Sequence, residues 1–164
     1  MISSARMPSI APNDSAPNVT LSLYNGDTVS LADLSRDHPV VLFFYPKDGT
    51  SICTKEACAF RDAYQDFTDA GATVVGVSSD SAASHQAFAD QHRLPYLLAT
   101  DKDGALRRAF GVPKTLGFLP GRVTYVIDRT GVVRLAFSAQ LAADRHVREA
   151  LDAVRRLGAT RSTS

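Results

Sequence analysis

The sequence has no tryptophan, only two cysteines, no excess of either charge and no long hydrophobic run. Two cysteines in 164 residues are too few for a disulfide scaffold. A lone close pair fits a thiol-reducing setting with a redox or metal role, and the expected location is cytoplasmic. Eighteen Lys+Arg against seventeen Asp+Glu leave +1. That is not the cationic surplus whose counterion release drives nucleic-acid binding, so no nucleic-acid partner is expected. The longest strongly apolar run, Val40 to Tyr45, is far short of the roughly 20 residues that cross a bilayer, and no membrane partner is expected. Met1 to Asn18 lacks the apolar stretch of a secretory signal.

What is present is the composition of a globular domain, 45% hydrophobic and 21% charged. Residues 1–18, rich in Ser, Pro, Asn and Asp, read as a flexible N-terminal tail, 19–158 as one domain, and 159–164 as a frayed C-terminal tail.

Thr20 to Tyr24 and Thr28 to Leu31 alternate in polarity around Asn25-Gly26-Asp27, a hairpin signal. Val40 to Tyr45 is a continuous β-branched and aromatic run, as in a strand buried on both faces, and Pro46 ends it. Residues 54–69 place Ala57, Phe60, Tyr64 and Phe67 at helical spacing, with Gly71 as the stop. A strand over Thr73 to Ser78, a helix over 81–92, a short strand near Tyr96 and a short helix over 105–110 follow. Arg122 to Asp128 and Val132 to Phe137 form a second hairpin, and a last helix runs from Ala142 to about Leu157 with Val147, Leu151 and Val154 on its apolar face. Alternating strands and helices imply a largely parallel sheet, to which the closing hairpin adds antiparallel strands. The order fits a thioredoxin-like three-layer α/β sandwich: a mixed central sheet, flanking helices and an N-terminal β-hairpin.

Cys53 falls where the Val40 to Tyr45 strand gives way, through a short loop, to the first long helix. Unpaired backbone N–H groups and the positive end of the helix dipole favour a thiolate there, and the thiolate is the nucleophile. At about 100° per residue, Cys53 lies within about 20° of Phe60 on the core-facing stripe, whereas Cys58 points about 140° away, toward solvent.

The wider sequence sharpens this. Pro46-Lys47-Asp48-Gly49-Thr50-Ser51-Ile52-Cys53 has the form P-x-x-x-T-x-x-C and resembles the peroxidatic signature of peroxiredoxins. Phe44 to Asp48, Cys53-Thr54-Lys55-Glu56-Ala57-Cys58, Gly111-Val112-Pro113 and Leu119 to Asp128 are similar to the peroxiredoxin Q / bacterioferritin comigratory protein subfamily. The resemblance covers nearly the whole domain. It implies a thiol-dependent peroxidase in antioxidant defence, with Cys53 as the peroxidatic cysteine that becomes a sulfenic acid. It implies that Thr50 donates its hydroxyl to the sulfur, that Arg122 stabilises thiolate and leaving oxygen, and that Pro46 shields the pocket. Cys58 becomes the resolving cysteine of an intramolecular disulfide, recycled by thioredoxin or a similar dithiol. No metal, haem or flavin cofactor is implied, and a monomer is. Residues i and i+5 of an intact helix have Cα atoms roughly 8.6 Å apart, too far for a disulfide, so the implied Cys53–Cys58 bond requires the start of the helix to unwind. Ser51-Ile52 replaces the Pro-Gly usual in the family.

Three alternatives compete. A general disulfide oxidoreductase wants Cys-x-x-Cys, which is absent, and glutathione peroxidases usually carry a tryptophan. A Cu(I)-binding module on the same fold would use both thiolates and an imidazole, but no third ligand is evident. Glu56 has two readings, as an orienter of Arg122 or Arg61 or as an ordinary first-turn acid. His38, His85, His92 and His146 read as surface or packing residues.

Overall fold

The computed structural model describes residues 10–112, 114–115, 119–139 and 142–162. Strands β1 (Thr20–Leu23) and β2 (Thr28–Ser30) form the expected antiparallel hairpin. The chain continues through α1 (Leu31–Asp37), β3 (Val40–Phe44), α2 (Ser51–Asp62), α3 (Tyr64–Asp69), β4 (Thr73–Ser78) and α4 (Ala82–His92). It closes with β5 (Leu97–Thr100), α5 (Ala105–Phe110), the short pair β6 (Lys114–Thr115) and β7 (Leu119–Pro120), then β8 (Val123–Ile127), β9 (Val133–Ser138) and α6 (Ala143–Ser162). No helix among the described residues is long and apolar enough to cross a membrane.

Seven strands form one sheet in the order β2-β1-β5-β4-β3-β8-β9. Only β3/β4 and β4/β5 are parallel; β1/β2, β1/β5, β3/β8 and β8/β9 are antiparallel. The sheet is therefore mixed and less parallel than the alternation of elements implied, because hairpins build both of its flanks and helical crossovers build only its centre.

β3 is buried on both faces, as its sequence requires. Val41, Phe43 and Tyr45 face α2, α3, α4 and α6, while Val40, Leu42 and Phe44 face α1 and α5. This completes the three layers. Phe43 stacks on Phe60 of α2 at 4.3 Å between ring centroids. Gly76 on β4 makes room for that ring: a Cβ there would lie 2.8 Å from Phe43 Cζ. The stacked pair seats α2 on the sheet, and with it Cys53.

Four expectations are corrected. Residues 10–16 are not a free tail: Asn13 and Ala16 donate to the carbonyls of Val133 and Gly131, and Val133 donates to Asp14, because the edge strand β9 offers unpaired backbone groups. Residues 1–9 of the proposed tail lie outside the described residues. Leu31 starts α1, capped by Ser30 Oγ accepting from Asp33 N at 3.0 Å, rather than ending a strand. The helix expected over 54–69 is two helices broken at Ala63, whose ψ of 3° leaves the α region. The apolar spacing runs through that break unchanged, so periodicity could not reveal it. At the C-terminus, helical backbone continues to Ser162 where a frayed tail from 159 was expected; residues 163–164 lie outside the described residues.

Candidate active site

The loop after β3 is tied down by a polar network under it. Tyr45 Oη donates to Asp48 Oδ1 at 2.5 Å, Ser84 Oγ donates to Asp48 Oδ2 at 3.0 Å, and His85 Nδ1 lies 2.7 Å from the same oxygen. The Asp48 amide donates to Asp80 Oδ2 at 2.7 Å, which also accepts from Ser78 Oγ. Burial and the adjacent Asp48 carboxylate hold the Tyr45 phenol far above its ordinary value, so it stays neutral and keeps the proton it donates to Asp48. Asp48, Asp80 and His85 are close enough to resemble a metal cluster. Their ligand atoms are instead committed: His85 Nε2 faces the Ala99 carbonyl at 3.1 Å, and Asp48 Oδ1, Asp48 Oδ2 and Asp80 Oδ2 each accept from this network.

Thr50 occupies the N-cap of α2, which makes Cys53 the third helical residue. The Thr50 hydroxyl donates to the Lys47 carbonyl at 3.0 Å, closing the turn over Gly49, whose φ is +80°. The expected bond from this hydroxyl to sulfur is thus not the one the structure forms; the carbonyl three residues back is the acceptor the turn presents. Pro46 is half-buried at the head of the same loop.

Cys53 is 1% exposed. Arg122, from just before β8, donates through Nη2 to Cys53 Sγ at 3.2 Å and through Nη1 to Glu56 Oε1 at 2.7 Å. One buried guanidinium therefore spans a sulfur and a carboxylate one helical turn apart on α2. Burial disfavours the Arg122 cation, but Glu56 and Cys53 outweigh it and hold the group above its ordinary value. Burial pushes the Glu56 carboxyl up to about 7 against the pull of Arg122. A thiolate at Cys53 gains a charge-assisted bond here, whereas a metal cation at the same sulfur would meet a guanidinium, which disfavours the Cu(I) reading.

Both cysteines are free thiols. Cys58 is half-buried in a groove lined by Ile52, Lys55 and Asp62 of α2 and by Arg145 and Arg148 of α6. The helical-wheel separation is correct for Cys53, while α6 partly covers the face on which Cys58 was expected to be open.

The sequence reading brought Cys53, Arg122 and the Pro46–Thr50 loop together, as the structure does, and settles Glu56 on Arg122; Arg61 instead donates to Asp62 and to the His92 carbonyl. It missed His85 and His146, both fully buried and hydrogen-bonded rather than bland. His146 had a faint signal. The buried stripe of α6 is His146, Ala150, Ala153 and Val154; Val154 is on it as expected, while Val147 and Leu151 lie one position round and are only partly buried. Arg107 carried no signal.

The AhpC/TSA family matches residues 12–136. Peroxiredoxin Q, chloroplastic, from Triticum aestivum is 49% identical over 142 residues, covering 86% of this chain and 65% of that relative's length. The chain thus spans just under two thirds of that plant protein. Among solved structures, peroxidoxin BcpB from Mycobacterium tuberculosis superposes with a TM-score of 0.83 at 36% identity, covering 90% of this chain and 98% of the other. Xanthomonas campestris bacterioferritin comigratory protein, whose structure concerns alkyl peroxide reduction, gives a TM-score of 0.78 at 31% identity over 88% of this chain and 99% of the other. The chain belongs to the AhpC/TSA family, in its peroxiredoxin Q / bacterioferritin comigratory protein branch. The plant relatives are named chloroplastic, which overturns the cytoplasmic location expected from the sequence. Cysteine use reports a thiol-reducing environment and does not say which compartment supplies it.

Proposed function

We propose that the chain is a thiol peroxidase that reduces hydrogen peroxide and organic hydroperoxides through Cys53, in antioxidant defence and redox homeostasis. The observation that carries this reading is the buried contact from Arg122 Nη2 to Cys53 Sγ at 3.2 Å, in the first turn of α2. The Cys53 thiolate attacks the terminal peroxide oxygen, the O–O bond breaks, and the departing oxygen takes a proton to leave as water or an alcohol. The sulfur is oxidised to sulfenic acid. Arg122 stabilises the thiolate before the step and the negative charge on the leaving oxygen during it. Thr50 turns its hydroxyl from the Lys47 carbonyl to the peroxide, and Pro46 closes the sulfur off from water. The Cys58 thiol then displaces water from the sulfenic acid, giving the Cys53–Cys58 disulfide after the start of α2 unwinds. Thioredoxin or a similar dithiol reduces it by exchange, at the groove where Cys58 is already half-exposed. The working unit is a monomer. The alkyl peroxide activity named for the Xanthomonas relative supports the organic part of the substrate range.

Intact mass after one equivalent of peroxide tests the cycle. A loss of about two mass units is the expected disulfide; a gain of about sixteen means a sulfenic acid that Cys58 does not resolve. No prompt change in mass, with the peroxide unconsumed, removes the peroxidase reading.

A further inference from the structure

Behind Arg122 lies a group that this chemistry does not use. His146 on α6 is fully buried. Its Nε2 faces the Ala139 carbonyl at 2.7 Å, and since a carbonyl only accepts, Nε2 carries hydrogen. In the neutral ring the lone pair then sits on Nδ1, 2.8 Å from Thr124 Oγ1 and 3.4 Å from Glu56 Oε2. Glu56 Oε2 is buried and has no donor among the described residues. A carboxylate oxygen and an imidazole lone pair thus face each other in a site closed to water. That arrangement is costly unless a proton lies between them.

We propose that Glu56 and His146 hold one buried proton between them, and that this reserves the positive charge of Arg122 for the Cys53 thiolate. His146 is a positioning residue: it acts through Glu56 on Arg122. The inference rests on the reading of Cys53 as the thiolate that attacks peroxide.

Charge balance shows what the proton does. An ionised Glu56 neutralises Arg122, and a Cys53 thiolate is then a second anion on one guanidinium. With the proton in place, Glu56 Oε1 still accepts from Nη1 at 2.7 Å, but the carboxyl is uncharged and the ion pair is Arg122 with the thiolate. Burial acts in the same direction, raising Glu56 to about 7 and lowering His146 to about 4, which places the proton on Glu56. The other groups facing the pair fit this balance. Arg122 and Arg145 both disfavour a charged imidazole. Tyr96 Oη, which feels the Glu56 charge, donates to the Ala57 carbonyl at 2.6 Å. Cys53 on α2, Thr124 on β8 and Phe137 on β9 complete the surroundings.

The test is alkylation of Cys53 by iodoacetamide as a function of pH, in a Cys58→Ser background, which reads the thiolate without any peroxide. His146→Phe keeps a ring in place and removes the acceptor, so Glu56 gives up its proton more readily. Alkylation at pH 7 then slows roughly tenfold and the midpoint of its pH curve rises by about one unit. Thr124→Val removes the hydroxyl that competes for Nδ1, and the midpoint falls. On a Glu56→Gln background, which cannot ionise, His146→Phe adds no further shift. An unmoved midpoint in His146→Phe, an equal shift on Glu56→Gln, or shifts of one sign in His146→Phe and Thr124→Val would each overturn the shared proton. If thermal melts show His146→Phe unfolded, Thr124→Val decides alone: its midpoint falls or the proposal is wrong. Failure of the peroxidase reading is separate, since it appears as wild-type protein that alkylates normally and consumes no peroxide.

Discussion

Arg107 Nη2 donates to the carbonyl of Tyr45 at 2.6 Å, and Arg107 Nη1 reaches the carbonyl of Gly121 at 3.1 Å. Those two carbonyls immediately precede Pro46 and Arg122. A single guanidinium from α5 therefore fixes the spacing between the loop that leads to Cys53 and the arginine that contacts its sulfur. Burial lowers the Arg107 cation from its ordinary value, only partly offset by Asp101 and Cys53, and its Nε has no partner among the described residues.

Arg107→Lys keeps the charge but cannot bridge two carbonyls in one plane. The expected result is a peroxide reaction slowed roughly tenfold to a hundredfold, the scale of a small misplacement at the reacting atoms. Stopped-flow peroxide consumption measures it, and a rate within about twofold of wild type would remove Arg107 from this role.

Arg122→Met separates chemistry from stability. The peroxide reaction is expected to fall by roughly a hundredfold to a thousandfold, as for loss of one preorganised donor. Glu56 Oε1 and Cys53 Sγ lose their buried donor, and unfolding free energy in urea should drop by about 1–3 kcal/mol, the cost of unsatisfied buried polar groups.

The pH dependence of stability carries two opposing signs. Glu56 holds its proton to about 7 in the folded chain against an ordinary 4.5, so its contribution is full below about 4.5 and is lost as pH rises toward 7. His146 is the reverse. Its ring stays neutral down to about 4 against an ordinary 6.5, so its contribution is full above about 6.5 and is lost as pH falls toward 4. Between these limits the slopes cancel, and the pair leaves stability nearly flat. Glu56→Gln should expose a rise with pH approaching about 1.4 kcal/mol per unit, and His146→Phe a fall above about pH 4.5. Urea unfolding at three pH values reads both slopes, and parallel curves in the two variants would refute the assignment.

Disulfide formation should be visible in the backbone. Amides of Thr54 to Cys58 are expected to be protected from hydrogen exchange in the dithiol protein and to lose that protection after peroxide, while Thr73 to Ser78 on β4 keeps it. Equal protection of the 54–58 segment in both states would count against unwinding.

The parts of the site that could be read from the sequence are those written in one stretch. The Pro46 to Cys58 segment, the strand before it and the helix start each have local causes, so their residues could be assigned without a structure. Arg122 could be reached only through the resemblance. Nothing in the bottom-up reading places a residue 69 positions from Cys53 at its sulfur. His146 was invisible for a related reason: its partners Glu56, Thr124 and Ala139 come from α2, β8 and the end of β9, and only packing assembles them. Residues 10–16 were misjudged because Pro12 and Pro17 mark irregular backbone, yet irregular backbone can still dock on a strand edge.

The break at Ala63 bears on how the helix that carries Cys53 would unwind in the proposed cycle. A helix of twelve residues is marginal on its own in water, and α2 ends where α3 starts anew. Melting from Thr50 inward thus meets a boundary: past Cys58 only one turn remains, clamped by Phe60 on Phe43, and beyond the break α3 sets Phe67 against the same Phe60. In the proposed cycle the front of one short helix is given up at each turnover, while the hydrophobic floor beneath it, held by Phe60 on Phe43, stays in place for the helix to re-form on.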